Sequence, residues 1–285
     1  MKVAVASGKG GTGKTTLSVN LASYIAEKEP VVLVDLDVEE PDSALFIKPD
    51  HSSMLPIYKD IPVWDAETCQ LCGKCQQVCA FNAILKLGRE ILVIPQLCHA
   101  CYACTGLCPT GALTMQPVQM GELSHSTHKN LSYVESRLLL GEEQAVPLIK
   151  QTIFFVSHTF SKGELILFDS PPGTSCPVIE VMLNSDLIIL VTEPTPFGLH
   201  DISLAVETAK SLDKCVAVVI NRAGIGDNAV HDFCKANDLP LIAQIPHQRE
   251  IAELCSNGEL VYQKFPEVQR ELDKIASYIA EFQGK

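Results

Sequence analysis

Two groups of residues in this 285-residue chain could do chemistry. The first is Gly8-Lys9-Gly10-Gly11-Thr12-Gly13-Lys14-Thr15-Thr16, which fits G-x-x-x-x-G-K-[ST] from Gly8 to Thr15. A loop this rich in glycine turns backbone N–H groups towards an anionic phosphate at a helix N-terminus. Lys14 then reaches the terminal phosphates, and the Thr15 hydroxyl binds Mg²⁺. The second group is eight of the 12 cysteines, spaced Cys69-x2-Cys72-x2-Cys75-x3-Cys79 and Cys98-x2-Cys101-x2-Cys104-x3-Cys108-Pro109. Thiolates this close together are metal ligands. Zinc suits C-x2-C pairs. Two runs that each end in an x3 fourth cysteine suit iron–sulfur clusters better.

The elements that position these residues are legible around them. An apolar run at 3–6 reads as a buried strand, and Leu17, Leu21 and Ile25 space the helix that follows the glycine loop. A strand at 31–34 ends in Asp35-Leu36-Asp37; on an extended backbone both carboxylates face one way. A strand at 165–168 ends in Asp169-Ser170-Pro171-Pro172-Gly173. Further strands at 187–191, 216–220 and 241–245 lead to Thr192-Glu193-Pro194, Asn221-Arg222 and Pro246-His247. Helices are expected over 142–160, and at the end through Val268, Leu272, Ile275 and Ile279. Alternating strand and helix predicts an α/β fold, a doubly wound and mostly parallel sheet with ligand groups at the C-terminal strand ends.

This pattern is interrupted. Residues 61–116 carry the cysteines and an internal repeat, in which Asn82-Ala83-Ile84 aligns with Gly111-Ala112-Leu113 at the offset of 29 that separates Cys69 from Cys98. The expected organisation is therefore a nucleotide domain in two parts, 1–60 and 117–285, around an inserted domain at 61–116. Residues 117–141 are polar; His125-x2-His128 within them reads as a solvated turn or short strand without ligand partners. Cys176 reads as a small buried residue before Pro177, and Cys215, Cys234 and Cys255 as core.

A formal net charge of −12 argues against nucleic-acid binding, which needs a basic surface. No apolar run reaches the roughly 18 residues of a membrane span, and no signal peptide precedes the first strand. The expectation is a cytoplasmic protein with no nucleic acid and no membrane among its partners. In that compartment the cysteines bind metal rather than pair as disulfides.

With its second lysine, Lys9, the loop K-G-G-T-G-K-T resembles the deviant Walker A motif of the MinD/ParA/Mrp/nitrogenase-iron-protein superfamily of P-loop ATPases. The segments V-L-V-D-L-D-x-x-x-P-D, D-x-P-P-G and T-E-P-T-P-F-G resemble that family too. The resemblance implies ATP and Mg²⁺ as cofactors, with the nucleotide held by residues 9–16. It implies that Asp37 orients the attacking water, that Asp35 lies near Mg²⁺ and Lys14, and that Asp169 holds Mg²⁺ through water. It places Asn221, Arg222, Pro246 and His247 at the adenine, and Lys9 across an ATP-dependent homodimer.

The cysteine runs resemble a small α+β bacterial-type ferredoxin with two 4Fe–4S clusters, each fourth cysteine ligating the other cluster. One cluster takes Cys69, Cys72, Cys75 and Cys108; the other takes Cys98, Cys101, Cys104 and Cys79. Ala80 stands where that pattern has proline, which removes no ligand. The function these resemblances imply is an ATPase coupling nucleotide state to electron transfer through the clusters, with a redox partner protein. The alternatives are an ATP-dependent carrier or assembly factor for iron–sulfur or other metal clusters, or a redox-sensing nucleotide switch.

Overall fold

The computed structural model describes residues 1–49, 53–160 and 163–284. In chain order the strands and helices are β1 (Lys2–Ala6), α1 (Lys14–Ala26), β2 (Val31–Asp35), α2 (Ala44–Ile47), β3 (Ser53–Trp64), α3 (Lys74–Val78), β4 (Ile84–Leu87) and β5 (Glu90–Val93). After a 3-10 turn at Pro95–Leu97 come α4 (Ala103–Gly106), β6 (Leu113–His128), β7 (Leu131–Leu138), α5 (Ala145–Thr159), β8 (Leu165–Asp169) and α6 (Cys176–Leu183). The chain closes with β9 (Leu187–Thr192), α7 (Pro196–Ser211), β10 (Cys215–Ala223), α8 (Ala229–Ala236), β11 (Leu241–Pro246), α9 (Arg249–Ser256) and α10 (Pro266–Gln283). Two compact units form: residues 1–54, 123–137 and 149–285 make the first, and 55–122 with 138–148 the second.

The first unit holds the glycine loop. Its sheet runs β11-β10-β9-β1-β8-β2-β7, and the pairings of β1, β2, β8, β9, β10 and β11 with one another, and of β2 with β7, are parallel. Every residue of β2, β8 and β9 is buried, as befits strands covered on both faces. Val3 and Val5 pack with Leu33, Ile189 and Val219 on one face, under Leu17 and Leu21 of α1 and Leu272, Ile275 and Ile279 of α10. Each such aliphatic removes enough surface from water to contribute about 1.5–3 kcal/mol. Asn20 of α1 accepts the amides of Val261 (2.7 Å) and Tyr262 (3.2 Å), fixing the segment before α10. Thr195 caps α7 by accepting the Gly198 amide, with Pro196 at the first helical position.

The second unit has little to pack. Its helices α3 and α4 are five and four residues long, and β4 and β5 form an antiparallel pair. One small core joins Ile84, Ile91, Cys104 and Leu113, and another joins Ile61, Ala83 and Cys98. Cysteines serve as core residues in both.

The structure departs from the sequence expectations at several points. The second unit takes in 55–60, 117–122 and 138–148 besides the predicted 61–116. Residues 117–141 are mostly strand, with His125 and His128 on β6; the His125 ring meets Phe155 and Phe160 edge-on. β2 ends at Asp35, and the Asp37 amide turns back to donate to the Asp35 carboxylate (3.1 Å), so the two acids do not share an extended face. Cys176 is exposed, because it opens α6 just beyond the Pro-Pro-Gly turn, and Cys215 is exposed at the first position of β10. Cys234 is buried as expected, and Cys255 is half-buried. No helix among the described residues is long and apolar enough to cross a membrane.

Candidate functional site

The glycine loop joins β1 to α1 at the centre of the sheet, where β1 lies between β8 and β9. The chain passes from β1 to β2 on one side and from β8 to β9 on the other, which opens a crevice at the C-terminal strand ends. Gly13 caps α1 with φ 91°, and a Cβ there would run into the Asn221 amide. A Cβ on Gly8 would strike the Asp201 backbone carbonyl. Lys14 is buried to 7% exposure at the start of α1. The Thr12 hydroxyl is buried and meets no partner among the described residues. An orphaned, buried hydroxyl inside a glycine-rich loop fits an anion such as phosphate.

Acidic groups gather beside the loop. Oxygens of Asp35, Asp42 and Asp169 lie within 4.8 Å of one another. Asp169 accepts the Ser18 hydroxyl (3.0 Å), and the Ser43 hydroxyl at 3.4 Å. Asp35, fully buried, accepts the amides of Asp37, Asp42 (3.2 Å) and Ser43 (3.0 Å) and so shapes the loop after β2. Burial pushes the Asp169 carboxyl up against the pull of the Thr15 hydroxyl and Lys14, and burial with the Asp169 charge pushes Asp35 up. Three carboxylates sharing such a site fit a hard divalent cation. Burial also raises half-buried Asp37 to about 6, opposed by Lys14 and reinforced by Asp42, Glu39 and Glu40.

Asn221, Arg222, Pro246 and His247 do come together. With Gly13, Thr16 and the apolar side chains of Leu17 and Ile251, they line a cavity of about 280 Å³. The Asn221 amide donates to the Thr12 carbonyl (2.8 Å), and its oxygen accepts the Arg222 amide (2.9 Å). One amide hydrogen remains for a ligand. Arg222 pairs with Glu193 at 2.6 Å, and Lys9 stands 3.9 Å from both Glu193 and Asp201. Sequence reasoning missed Ser18, Asp42, Ser43, Glu193 and Asp201 in these roles. Only Asp42 and Glu193 carried a trace, as polar residues next to prolines in strand-to-helix connections.

The cysteines converge in the second unit. Cys69, Cys72, Cys75 and Cys108 line one small cavity; Cys79, Cys98, Cys101 and Cys104 line another. The internal repeat extends to backbone conformation. Leu71, Gly73 and Asn82 have φ of 56°, 76° and 53°, and Ala100, Tyr102 and Gly111, 29 residues on, have 50°, 62° and 68°. Those turns aim amides at sulfur: Leu71 donates to Cys69 (3.4 Å) and Ala83 to Cys79 (3.3 Å), and the Ala100 and Ala112 amides reach Cys98 and Cys108. Burial pushes the Cys108 thiol up, but the Thr110 amide and hydroxyl and neighbouring amides outweigh it and hold it below its ordinary value. Four thiolates on zinc would stand about 3.8 Å apart, given Zn–S bonds near 2.3 Å. Among the described residues, no three cysteine sulfurs lie within 4.8 Å of one another. Each set is therefore spaced too widely for a single zinc ion, whereas a 4Fe–4S cube spreads its thiolates further.

A phosphate loop on a parallel α/β sheet, flanked by strand-end carboxylates, defines a nucleotide-binding protein of the phosphate-loop class. The chain belongs to the CbiA family, the CobQ/CobB/MinD/ParA nucleotide binding domain, which matches residues 3–261. An uncharacterized protein of Methanocaldococcus jannaschii, MJ0579, is 29% identical over 98% of this chain and 97% of its own length. The cytosolic Fe-S cluster assembly factor NUBP1 homolog of Brugia malayi is 23% identical over 98% of this chain and 81% of its own. The septum site-determining protein MinD of Pyrococcus horikoshii, solved with Mg-ADP, shares the fold with a TM-score of 0.61 at 20% identity, over 99% of this chain and 97% of that one.

Proposed function

We propose that this protein is an ATPase that carries two 4Fe–4S clusters and uses its nucleotide cycle to assemble or deliver iron–sulfur clusters for acceptor proteins. The observation that carries the reading is the gathering of eight cysteines into two sets of four within a nucleotide-binding chain. Similarity to a cluster assembly factor over 98% of this chain supports cluster handling over the electron transfer that the sequence suggested first.

In this reading residues 9–16 cradle the phosphates, and Lys14 neutralises their charge. Thr15 and Asp169, with Asp35 and Asp42 beside them, would hold Mg²⁺, which would supply further positive charge. Asp37 orients the attacking water; its carboxyl at about 6 is ionised at neutral pH. Asn221 presents its spare amide hydrogen to the base, between Arg222, Pro246 and His247. Lys9 leaves Glu193 and Asp201 and reaches the phosphates of a second subunit, so hydrolysis speeds up on dimerisation. Phosphoryl transfer needs this positioning and charge more than covalent chemistry.

The clusters supply one-electron storage or cargo to a partner protein. Electron relay is the second reading, favoured by two cysteine sets packed in one unit. The test is anaerobic protein containing about eight irons per chain, mixed with MgATP and an apo-ferredoxin acceptor. Iron that moves to the acceptor only with hydrolysable nucleotide supports the carrier. Iron that stays while cluster signals change with nucleotide supports the relay. Zinc in place of iron rejects both.

A further inference from the structure

The two cysteine sets are repeats, yet the turns that lead into them carry opposite charges. Before Cys69, Asp65 caps the turn: its exposed carboxylate accepts the Glu67 amide (2.9 Å) and the Thr68 hydroxyl (2.9 Å). Before Cys98 the cap is a cation. Lys59 of β3, its side chain only 3% exposed, places its ammonium 3.4 Å from the Pro95 carbonyl. That same carbonyl accepts the Cys98 amide at 3.1 Å. Lys59 is held by Glu142 at 2.6 Å. Glu142 also accepts the Gln144 amide (3.1 Å), and the Gln144 side chain donates to the Gln96 carbonyl (3.0 Å). The pair is thus laced to the Pro95–Leu97 turn from both sides.

A buried ion pair is a poor way to stabilise a fold, because desolvation offsets the attraction. An apolar pair would fill the space at less cost. Its placement matters for charge instead. Reducing a cluster by one electron adds one negative charge, and net charge and hydrogen bonding around the sulfurs set the potential. A cation screened from water acts on that charge far more strongly than an exposed one. The lysine near the other set, Lys86, reaches the Leu71 carbonyl from an exposed position, where water weakens it.

We infer that the Lys59–Glu142 pair sets the potential of the cluster bound by Cys79, Cys98, Cys101 and Cys104, and makes it unequal to its repeat. Lys59 favours the reduced state, and Glu142 tempers that effect through its contact with the ammonium. The inference rests on reading the eight cysteines as cluster ligands, whatever the clusters are for.

The experiment is an EPR-monitored redox titration of the full-length protein, purified anaerobically, with iron content measured on every sample. Lys59→Met lowers the midpoint of one cluster and Glu142→Gln raises the midpoint of the same cluster. Lys59→Arg keeps it close to wild type, and Lys86→Met shifts the other cluster by less. Opposite signs from the two halves of one pair exclude simple loss of structure, which would move both variants alike. If Lys59→Met loses its clusters, the upward shift in Glu142→Gln decides. Full iron with unchanged midpoints, shifts of the same sign, or equal shifts in both clusters overturn the inference while leaving the ligand reading intact. Wild-type protein that binds no iron overturns both.

Discussion

Leu71 and Ala100 stand 29 residues apart and hold the same left-handed backbone, φ 56° and 50°, each turning its amide onto the cysteine sulfur two residues before it. Side chains with a Cβ avoid this region at a cost of roughly 1–2 kcal/mol per residue. Both positions carry that strain with an amide aimed at sulfur, the geometry of an anion-binding nest.

Ala100→Gly relieves that strain and keeps the amide, so it leaves iron content unchanged. Ala100→Pro removes the N–H and forces φ to about −65°. It should release about four of eight irons per chain and erase one of the two cluster signals. Colorimetric iron analysis with EPR reads both effects; full iron in the proline variant removes the nest from the account.

Lys9 is 35% exposed and 3.9 Å from both Glu193 and Asp201, contacts too long and too wet to matter much for folding. Exposed pairs contribute about 0–1 kcal/mol. Lys9→Ala therefore changes the urea midpoint little, while ATP turnover falls at least about tenfold if the lysine meets a transition state in a partner subunit. Lys14→Ala abolishes tight nucleotide binding outright. A Lys9→Ala protein with normal turnover at high protein concentration rules out the bridging role.

Asp37 gives a pH-dependent signature. Its folded-state carboxyl is raised to about 6 by burial, against about 3.9 in an unfolded chain. The fold therefore binds the proton more tightly, so this group's contribution is most favourable below about pH 4 and is lost as pH rises through about 6. Asp37→Asn removes that loss. Metal-free Asp37→Asn protein should be about 1–2 kcal/mol more stable than wild type at pH 8, the full shift being cut by solvent screening. The gain should vanish at pH 4. ATPase activity moves the other way, falling about 100-fold or more if the carboxylate orients water. Urea titrations at the two pH values and a steady-state phosphate assay provide the check.

Gly13 and Asn221 are locked together. A Cβ on Gly13 needs a right-handed backbone it cannot have at φ 91°, and would collide with the Asn221 amide. Gly13→Ala should cost about 1–2 kcal/mol or more in stability and at least tenfold in ATP affinity. Asn221→Ala removes the collision, so the double variant regains part of the stability. Nucleotide affinity stays low in it, because Asn221 no longer ties the Thr12 carbonyl. Calorimetric titration of ATP and ADP into the three variants measures this.

Much of this was legible in the chain itself. The six strands expected around the glycine loop all appear, because continuous Val/Ile/Leu runs between turn residues have few other ways to be buried. The cysteine spacing and the 29-residue repeat were plain as text. Other features were not. Strands β6 and β7 are polar and half-exposed, so their periodicity is weak. Cys176 and Cys215 looked like core residues, but their exposure depends on where α6 and β10 begin.

What the sequence alone determined is the inventory: a glycine-rich phosphate loop, strand-end carboxylates and two sets of cysteines, since local spacing and turn preference decide those. Only the tertiary structure decided their company. It placed Ser18 and Ser43 on Asp169, set Glu193 and Asp201 against Lys9, and put the Lys59–Glu142 pair behind Cys98. Those partners lie far apart in the chain and are chosen by packing and by the cost of leaving a buried charge unpaired. Neither leaves a local mark in the sequence.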